Sequence, residues 1–414
     1  MDEIQQFIMN HAHSDVNALR LQYHGKAMPF SVEDACMQIE MRRKTSNKLT
    51  WFLKNPGFMF GTSMSAEQAT NQNVAQFHAQ LIGHDRRVLD MTAGLGIDAM
   101  TIALNGNTVT AYELEHERVR ALRHNAGILN VNNMSVVEGD SVLHLQQSHE
   151  HYDWIFVDPA RRDSGNNRCF LLRDSLPDVI THQDLLLAHA DHVLIKASPL
   201  LDVTQTLRDF RHVRSIFILS FKNEVKEVLI HLGIHSLPFG TGPEGDVQSN
   251  QSSPLIHVID LADSPDSFPA GTPAIRYRFT CTDAVEARIN YATPEHVVTG
   301  MYFYEAGAAM RKLQCALQIC DRYPGMKSLA KDSGLFVSDT LYMDFPGRIS
   351  TINALVSGRE LKALKGSRCR VVSSCFPVSA SELRKKYRLM EGEDRTFYAT
   401  TTHDGTRLMM LTTR

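Results

Sequence analysis

From residue 86 onward, short apolar stretches alternate with stretches of helical periodicity, and this alternation constrains the possible folds more than any other feature. The apolar stretches are nearly continuous, as expected for strands that are buried on both faces of a parallel sheet. The sequence therefore predicts an α/β fold with a doubly wound, mostly parallel sheet covered by helices on both sides. The expected strands read RVLDM, TVTAYE, MSVVEG, DWIFVD, HVLIKAS, VRSIFILSF, KEVLIHL and LIHVIDL.

The connections between these strands are of two kinds. We expect intervening helices to start near Gly96, Glu115 and Leu176. No helical stretch separates the last two strands, KEVLIHL and LIHVIDL, so we expect those two to form an antiparallel hairpin.

The length of 414 residues exceeds what one hydrophobic core usually organises, which predicts several domains. The N-terminal part shows helical spacing, with Asp15 and Ser31 as caps of two helices and a capping box of Ser65 and Gln68 at the start of a third. Near the C-terminus we expect the strand RCRVVSS, the helix SASELRKKYRLM and the strands RTFYATTT and RLMMLTT. The expected division is 1–80 for an N-terminal helical region, 81–265 for the sheet domain, 271–325 for a small α+β connecting region and 326–414 for a C-terminal α+β domain.

Composition excludes several classes of protein. A hydrophobic content of 43% with 21% charged residues is ordinary for a globular protein, and a net charge of −3 creates no global positive field. The seven cysteines are scattered without a C-x-x-C pair, which argues against a disulfide framework or a zinc ribbon and favours a reducing cytoplasm. We expect no metal site, since H-E-x-x-H is absent, and no secretion signal or membrane span.

Acidic residues follow four successive strands at their carboxyl ends. Asp90 ends the first strand, Glu113 the second and Asp158 the fourth, while Asp140 follows the third. Open α/β sheets bind ligands at this edge. The sequence therefore predicts a ligand site here, although any one of these carboxylates alone would also fit a solvated strand end or a helix cap.

A glycine turn follows the first of these strands. Gly94 and Gly96 allow a ligand to approach the backbone closely at the start of a helix. Residues 94–99 also satisfy G-x-G-x-x-A, so a nicotinamide enzyme stays an alternative. The four-residue step from Asp90 to Gly94 suits a ligand with a positive amino group better than a pyrophosphate. Glu113 stands at the distance expected for a carboxylate that binds ribose hydroxyls, and Asp140 can accept from an adenine amino group.

These motifs together resemble those of class I S-adenosylmethionine-dependent methyltransferases over residues 86–261. The resemblance rests on LDMTAGLG, on Glu113, on GDS at 139–141 and on DPAR at 158–161. It implies a Rossmann-like, seven-stranded methyltransferase sheet and S-adenosylmethionine as cofactor. The implied cofactor-binding residues are Asp90, Thr92, Ala93, Gly94, Gly96, Glu113, Leu114, Asp140 and Ser141.

A wider resemblance extends over most of the chain. SAEQAT, VDPARR and FPVSASELRKKYRL with RTFYATT look like bacterial methyltransferases that carry a THUMP-like C-terminal domain, and the core is similar to enzymes that methylate the N2 amine of guanosine in RNA caps. The resemblance implies methylation of a base amine in RNA, either tRNA or rRNA. Two alternatives stay open: a methyltransferase for a protein or small-molecule amine, and a non-catalytic RNA-binding protein with this fold.

The DPAR stretch is the expected catalytic loop. Asp158 and the carbonyl of Pro159 can accept the hydrogens of an acceptor amine and orient its lone pair. Methyltransferases for base amines commonly read D/N-P-P-aromatic here, whereas this chain has alanine and Arg161, which puts methylation of adenine N6 in doubt. Arg161 can stack on a base or hold a phosphate, and Arg162 can bind substrate, but both can equally balance nearby carboxylates. Lys196 reads as a substrate contact or as an ordinary charge at a strand end.

Basic residues are concentrated between 359 and 388, where nine stand against two acidic ones for a net charge of +7. Such a face suits the phosphate backbone of RNA, and a solvated helix surface is the alternative. Arg384, Lys385 and Lys386 are the expected substrate-binding residues within it. Upstream of the sheet, Phe58, Phe60 and Glu67 are candidates for covering the adenine or approaching the substrate, although the two phenylalanines also suit the core.

Overall fold

A computed structural model describes residues 2–161, 172–233, 253–263, 268–269, 271–282 and 288–413. Arg162 lies outside these residues. The chain forms two compact units, each built from three stretches. Unit 1 comprises Met1–Ile216, Glu227–Pro243 and Leu261–Ala274, and unit 2 comprises Phe217–Lys226, Glu244–Asp260 and Ile275–Arg414. The predicted four-part division stays a prediction.

The N-terminal part of unit 1 is helical, as predicted. The caps Asp15 and Ser31 each accept backbone N–H bonds at the start of a helix. The expected capping box at Ser65 is wrong: Thr62 caps a short helix, Ser65 lies inside it, and a new helix begins after Asn71. The helices are α1 (Glu3–Asn10), α2 (Val16–Tyr23), α3 (Val32–Thr45), α4 (Ser63–Gln68) and α5 (Gln72–Ile82).

The predicted sheet follows. In unit 1 the strands lie in the order β9-β7-β4-β1-β2-β3, with β3, β2, β1, β4 and β7 parallel and β9 antiparallel to β7. The strands are β1 (Arg87–Asp90), β2 (Thr108–Glu113), β3 (Met134–Glu138), β4 (Tyr152–Val157), the short pair β5 (Ala160–Arg161) and β6 (Ser175–Leu176), β7 (Ala190–Ala197), β8 (Val213–Phe221) and β9 (Glu224–Gly233).

Two of the three expected helix starts are confirmed. Gly96 and Glu115 are the caps of α6 and α7. Leu176 instead ends β6, because the residue before a proline disfavours helical backbone and Pro177 follows it. The helices between the strands are α6 (Ile97–Leu104), α7 (His116–Ile128), α8 (Ser141–Gln147), α9 (Gln183–His189) and α10 (Val203–Asp209).

The expected hairpin of KEVLIHL with LIHVIDL is wrong. β8 turns directly into β9 through Lys222 and Asn223, both with positive φ, in a two-residue turn that suits the twist of antiparallel strands. The neighbours of β9 are therefore β8 and β7. LIHVIDL forms the expected strand β10 (Leu255–Leu261), which lies between β8 and β11 (Ile275–Thr282). Within the described residues the sheet has nine strands, whereas the family resemblance implied seven.

The C-terminal part of unit 2 has its own seven-stranded sheet, ordered β13-β14-β12-β15-β18-β17-β16. The four C-terminal elements expected from the sequence are confirmed as β16, α14, β17 and β18, and β16 and β17 are parallel around α14. Its core includes Phe303, Phe397 and Tyr398. The elements are β12 (Tyr302–Ala306), α11 (Ala308–Lys312), α12 (Ala316–Arg322), β13 (Lys327–Ser328), β14 (Leu335–Ser338), β15 (Gly347–Leu355), α13 (Gly358–Ala363), β16 (Arg370–Ser374), α14 (Ala380–Tyr387), β17 (Arg395–Thr401) and β18 (Arg407–Thr413).

Within the described residues, no helix combines the length and the apolar character needed to cross a membrane.

Candidate active site

The glycine turn lies between β1 and α6, as the sequence indicated. Gly96 caps α6 with φ of +82°, and a Cβ at this position would stand 2.0 Å from Cδ1 of Leu122. Glycine is therefore required here both by the backbone conformation and by the packing of α7 against the turn. Asp90 ends β1 almost completely buried, and its Oδ1 accepts the N–H of Thr92 at 3.0 Å.

The turn leaves room beside Gly94. This residue has φ of +56°, and a Cβ built on it would meet no atom closer than the carbonyl oxygen of Thr92 at 4.0 Å. Ala93 is buried, and its N–H is bound to the carbonyl of Tyr112 in β2. The backbone thus forms a fixed turn with open space beside Gly94, next to the carboxyl group of Asp90, and we call this turn the cradle.

Glu113 ends β2 and is tied to the same turn. Its Oε2 accepts the N–H of Gly94 at 2.9 Å, and its Oε1 accepts those of Leu114 and Glu115, both at 2.9 Å. A carboxylate offers about four acceptor positions, and these bonds use three of them. Nη1 of Arg118 also lies 3.7 Å from Oε2. Glu113 therefore fixes the glycine turn directly, and its predicted role in binding a ribose stays a prediction.

The residues expected around the adenine divide into two groups. Leu114 and Asp140 are exposed at the sheet edge. One oxygen of Asp140 accepts the N–H groups of Val142 and Leu143 at the start of α8. Asp140 is therefore a helix cap, which was the alternative to a role in ligand binding. Ser141 is buried, and its hydroxyl donates to the carbonyl of Met91 at 2.9 Å, which fixes α8 against the turn.

The expected catalytic loop lies beside this cradle. The backbone N–H of Asp158 donates to Oγ1 of Thr92 at 2.7 Å, so the loop after β4 and the glycine turn after β1 are directly joined. The carboxylate of Asp158 is 40% exposed, and its Oδ2 accepts from Nζ of Lys196 at 2.6 Å. The structure thus brings together Asp158, Lys196 and the cradle.

A buried group of polar residues behind Lys196 was missed at the sequence level. Nζ of Lys196 also donates to Oγ1 of Thr70 at 2.9 Å, and Thr70 donates to Asp98 at 2.5 Å. His78 is fully buried in α5, with its two ring nitrogens bound to Asp98 in α6 and Glu227 in β9. These residues come from separate elements with no common motif, so no local pattern signals them.

The charges of this group shift its pKa values. Burial by itself lowers the pKa of His78, but the charge of Glu227 and the hydrogen bonds to Asp98 and Glu227 raise it to about 9. Burial alone raises the pKa of Asp98, yet the charge of Lys196 and the hydrogen bond to His78 lower it to about 2. Burial likewise disfavours the charged form of Lys196, but Asp158, Asp98 and Glu227 raise its pKa above the usual value. His78 and Lys196 are therefore both cationic at neutral pH.

Two further carboxyl groups at the sheet edge hold protons more readily than usual. Burial raises the pKa of Asp90 to about 8, against the opposing hydrogen bond to the N–H of Thr92. The pKa of Asp158 is also raised, first by removal from water, with Lys196 opposing the shift and the charges of Asp98 and Glu227 supporting it. Asp158 can therefore take up a proton at a higher pH than a free aspartate.

Other predicted residues lie elsewhere. Arg161 belongs to β5, which pairs with β6, and Arg162 is outside the described residues. Phe58 and Phe60 are buried core residues, as the alternative reading held. Glu67 is exposed and pairs with Lys44 at 3.2 Å on the protein surface.

Most of the basic side chains between residues 359 and 388 of unit 2 are exposed, but not all of them. Lys385 and Lys386 are exposed on α14, while Arg384 is partly buried and lies 3.5 Å from Glu391. Arg370 is not part of the face: its guanidinium binds both oxygens of buried Glu305, at 2.6 and 2.7 Å. An open concavity of about 660 Å³ is lined by Ser357, Arg359, Lys362, Lys386 and Tyr387.

Comparison with known proteins supports the motif-based resemblance. The family model described as "Conserved hypothetical protein 95" matches residues 67–176. An "uncharacterized RNA methyltransferase" of Mycoplasma mobile is 24% identical over 155 residues, which are 36% of this chain and 42% of that protein. The match therefore spans less than half of the length of this relative.

A solved structure resembles the whole chain. A "putative methyltransferase" from Porphyromonas gingivalis W83 is 24% identical, with a TM-score of 0.81 over 100% of this chain and 99% of that one. The chain therefore shares the fold of this protein over its whole length, which agrees with the α/β fold that the motif resemblance implied. The THUMP-like character of the C-terminal part stays a prediction.

Proposed function

We propose that this protein transfers a methyl group from S-adenosylmethionine to a base amine of RNA, in tRNA or rRNA. The observation that carries the proposal is the hydrogen bond from the N–H of Asp158 to Oγ1 of Thr92. It joins the open glycine cradle, which suits the cofactor, to the Asp-Pro loop, which suits an acceptor amine.

The residues of the cradle would hold the cofactor. Asp90 would face its amino group, the turn at Gly94 would receive its amino-acid end, and Glu113 would accept a ribose hydroxyl through its remaining acceptor position. When bound, S-adenosylmethionine supplies an electrophilic methyl group on a sulfonium. Because this group is already a strong electrophile, alignment of the nucleophile with it is a large part of what the protein contributes.

Asp158 and Pro159 would provide that alignment. The carboxylate of Asp158 and the carbonyl of Pro159 can accept the two hydrogens of an exocyclic amine, which directs its lone pair outward. The hydrogen bond from the N–H of Asp158 to Thr92 fixes the backbone at this residue before an acceptor binds. Arg161 would contact the nucleotide by stacking or through a phosphate.

RNA as the substrate class is supported by two observations. The curated relative is named an RNA methyltransferase, and unit 2 carries an exposed basic face that includes Arg359, Lys362, Lys385 and Lys386. Each phosphate that these side chains neutralise releases counterions, so binding should weaken as salt rises. Arg384 and Arg388 would contribute at the margin of the same face.

Mass spectrometry of modified nucleosides in total tRNA and rRNA, from cells with and without the protein, tests the proposal. We expect one methylated nucleoside to disappear, and its formation to be restored by the wild-type protein but not by Asp158→Asn. Calorimetry should show that Asp158→Asn still binds S-adenosylmethionine with nearly unchanged affinity. An unchanged nucleoside profile, with methyl transfer to a protein or small amine instead, would refute the RNA assignment.

A further inference from the structure

A continuous chain of hydrogen bonds leads from the exposed Asp158 into the interior of unit 1. It runs through Asp158, Lys196, Thr70, Asp98, His78 and Glu227, and we call these six residues the polar chain. The members come from the loop after β4, from β7, from the segment before α5, from α5 and α6, and from β9. Six separate parts of the fold therefore contribute to this one chain of hydrogen bonds.

Burial increases steeply along this chain. The side chain of Asp158 is 40% exposed, that of Lys196 12%, and that of His78 is fully buried. Charged groups are rarely buried without a compensating role or partner, because desolvation costs several kcal/mol per ion. The exposed end is the point at which the polar chain can meet a substrate.

Lys196 directs its donors inward rather than to a ligand. Its ammonium has three hydrogens, of which two are donated to Asp158 at 2.6 Å and to Thr70 at 2.9 Å. For the third hydrogen, the nearby carboxylates are those of Asp98 and Glu227. Nζ of Lys196 lies 3.9 Å from Oδ2 of Asp98 and 4.0 Å from Oε2 of Glu227. Lys196 therefore suits the role of a clamp on Asp158 and not the substrate contact that the sequence suggested.

The clamp leaves the two oxygens of Asp158 unequal. Oδ2 is held by Lys196, while Oδ1 has no hydrogen-bond partner among the residues that the structure describes. The polar chain contains two cations, His78 and Lys196, and three carboxyl groups. It is electrically balanced when one of the carboxyl groups carries a proton, and Asp158 is the most exposed of the three.

We propose that Asp158 is the proton acceptor of the methyl-transfer reaction, and that Lys196 is the positioning residue that presents Oδ1 of Asp158 for this purpose. This inference rests on the proposed function. As the amine nitrogen forms its bond to the methyl carbon, the carbon–sulfur bond breaks and its electron pair stays on sulfur. The proton that the methylated nitrogen must lose passes to Oδ1 of Asp158 and from there to water.

The raised pKa of Asp158 agrees with this role, since burial and the nearby charges of Asp98 and Glu227 favour the protonated form. Lys196 acts in the opposite direction and favours the ionised carboxylate, which is the form that can accept a proton. A further ionisable group at the same edge, Asp90, lies on the cofactor side, and the charge of Asp158 helps to raise its pKa. The balance between Lys196 and the surrounding carboxylates thus sets the pH at which Asp158 can accept a proton.

The test compares Lys196→Gln and Lys196→Arg with the wild-type protein, with Lys44→Gln as a control at an exposed lysine. Single-turnover rates on bulk tRNA and rRNA are measured against pH, and calorimetry gives the affinity for S-adenosylmethionine. We expect Lys196→Gln to move the acid-side midpoint of the rate upward by about one pH unit or more, because a cation within 4 Å is lost. Cofactor affinity should stay within about twofold, as Lys196 does not contact the cradle residues.

A second readout does not depend on turnover. ¹³C NMR of aspartate-labelled protein follows the carboxyl of Asp158, identified by the signal missing from Asp158→Asn, and Lys196→Gln should raise its midpoint as well. Lys196→Arg keeps the charge and should keep this midpoint, but should slow transfer about tenfold or more, since a planar guanidinium does not reproduce both contacts. This variant also decides the matter if Lys196→Gln fails to fold.

The outcomes separate the two proposals. Unshifted midpoints in Lys196→Gln, or a wild-type rate in Lys196→Arg, would overturn the role of Lys196. A shifted NMR midpoint in a protein that methylates no RNA would instead leave the clamp standing and refute the proposed function.

Discussion

Substitution of His78 by glutamine should make the free energy of unfolding of unit 1 depend much less on pH between about pH 6 and 9.5. His78 is fully buried between Asp98 and Glu227, and it is cationic because these carboxylates raise its pKa to about 9. Glutamine can keep one of the hydrogen bonds but carries no charge. The variant therefore leaves two buried carboxylates with less compensation, an arrangement that typically costs about 3–5 kcal/mol.

The sign of the pH dependence follows from the direction of the shift. The pKa of His78 is raised from 6.5 in the unfolded chain to about 9 in the folded protein. Its protonation therefore stabilises the fold fully below pH 6.5, and this stabilisation is lost as pH rises toward 9. A shift of this size corresponds to about 3 kcal/mol, at 1.36 kcal/mol per pH unit. We expect the difference between wild-type and variant stability to shrink by about this amount between pH 6 and 9.5.

Urea unfolding followed by tryptophan fluorescence measures this difference in stability for unit 1, the unit that contains His78. The chain has two tryptophans, Trp51 and Trp154, and both belong to unit 1. Asp90 also titrates near pH 8, but it does so in both proteins and cancels in the difference. His84→Gln, at an exposed histidine, is the control and should show no such convergence. A constant gap across the pH range would mean that His78 is neutral in the folded protein, and the charge assignment of the polar chain would fail.

Three further substitutions test the site and its surroundings. Gly96→Ala should destabilise unit 1 by about 2 kcal/mol or more, because φ is +82° and the new methyl would stand 2.0 Å from Leu122, and an unchanged urea midpoint would contradict this. Glu113→Gln should weaken S-adenosylmethionine about tenfold or more in calorimetry, since the charged acceptor is lost, whereas equal affinity would exclude Glu113 from the cofactor site. Arg370→Met should destabilise unit 2 by about 3–5 kcal/mol by leaving Glu305 uncompensated, with RNA affinity at low salt unchanged, and a selective loss of RNA binding would return Arg370 to the basic face.

The order of the elements was largely predictable because it depends on local patterns. Strand and helix alternation, the glycine turn and the caps of α2 and α3 are each encoded within a few neighbouring residues. The pairing of strands was less predictable, since it depends on which strands the connecting turns bring side by side. The turn at Lys222 and Asn223 decides that β9 pairs with β8, and neither residue is the glycine that marks most such turns.

The site was predictable only where a single element carries several of its residues. Asp90, Gly94 and Gly96 share one strand-to-helix turn, so their spacing is visible in the sequence and, together with the carboxylates that end the next strands, favours a ligand site. His78 and Glu227 are 149 positions apart and meet only in the folded sheet. Arg370 shows the opposite error, because its sequence neighbours are exposed basic residues while its own side chain lies against Glu305.

Each of the two units is built from three separate stretches of the chain, and this limits which truncated forms of the protein can keep a complete unit. A chain shortened to end at residue 274 would keep β8 and β10 but lose β11, the neighbour of β10, because unit 2 draws on three separate stretches. A fragment that begins at residue 275 would lack two strands of the unit to which it belongs. The RNA affinity of the basic face therefore has to be dissected by point substitutions in the intact chain, since no single cut yields a complete half.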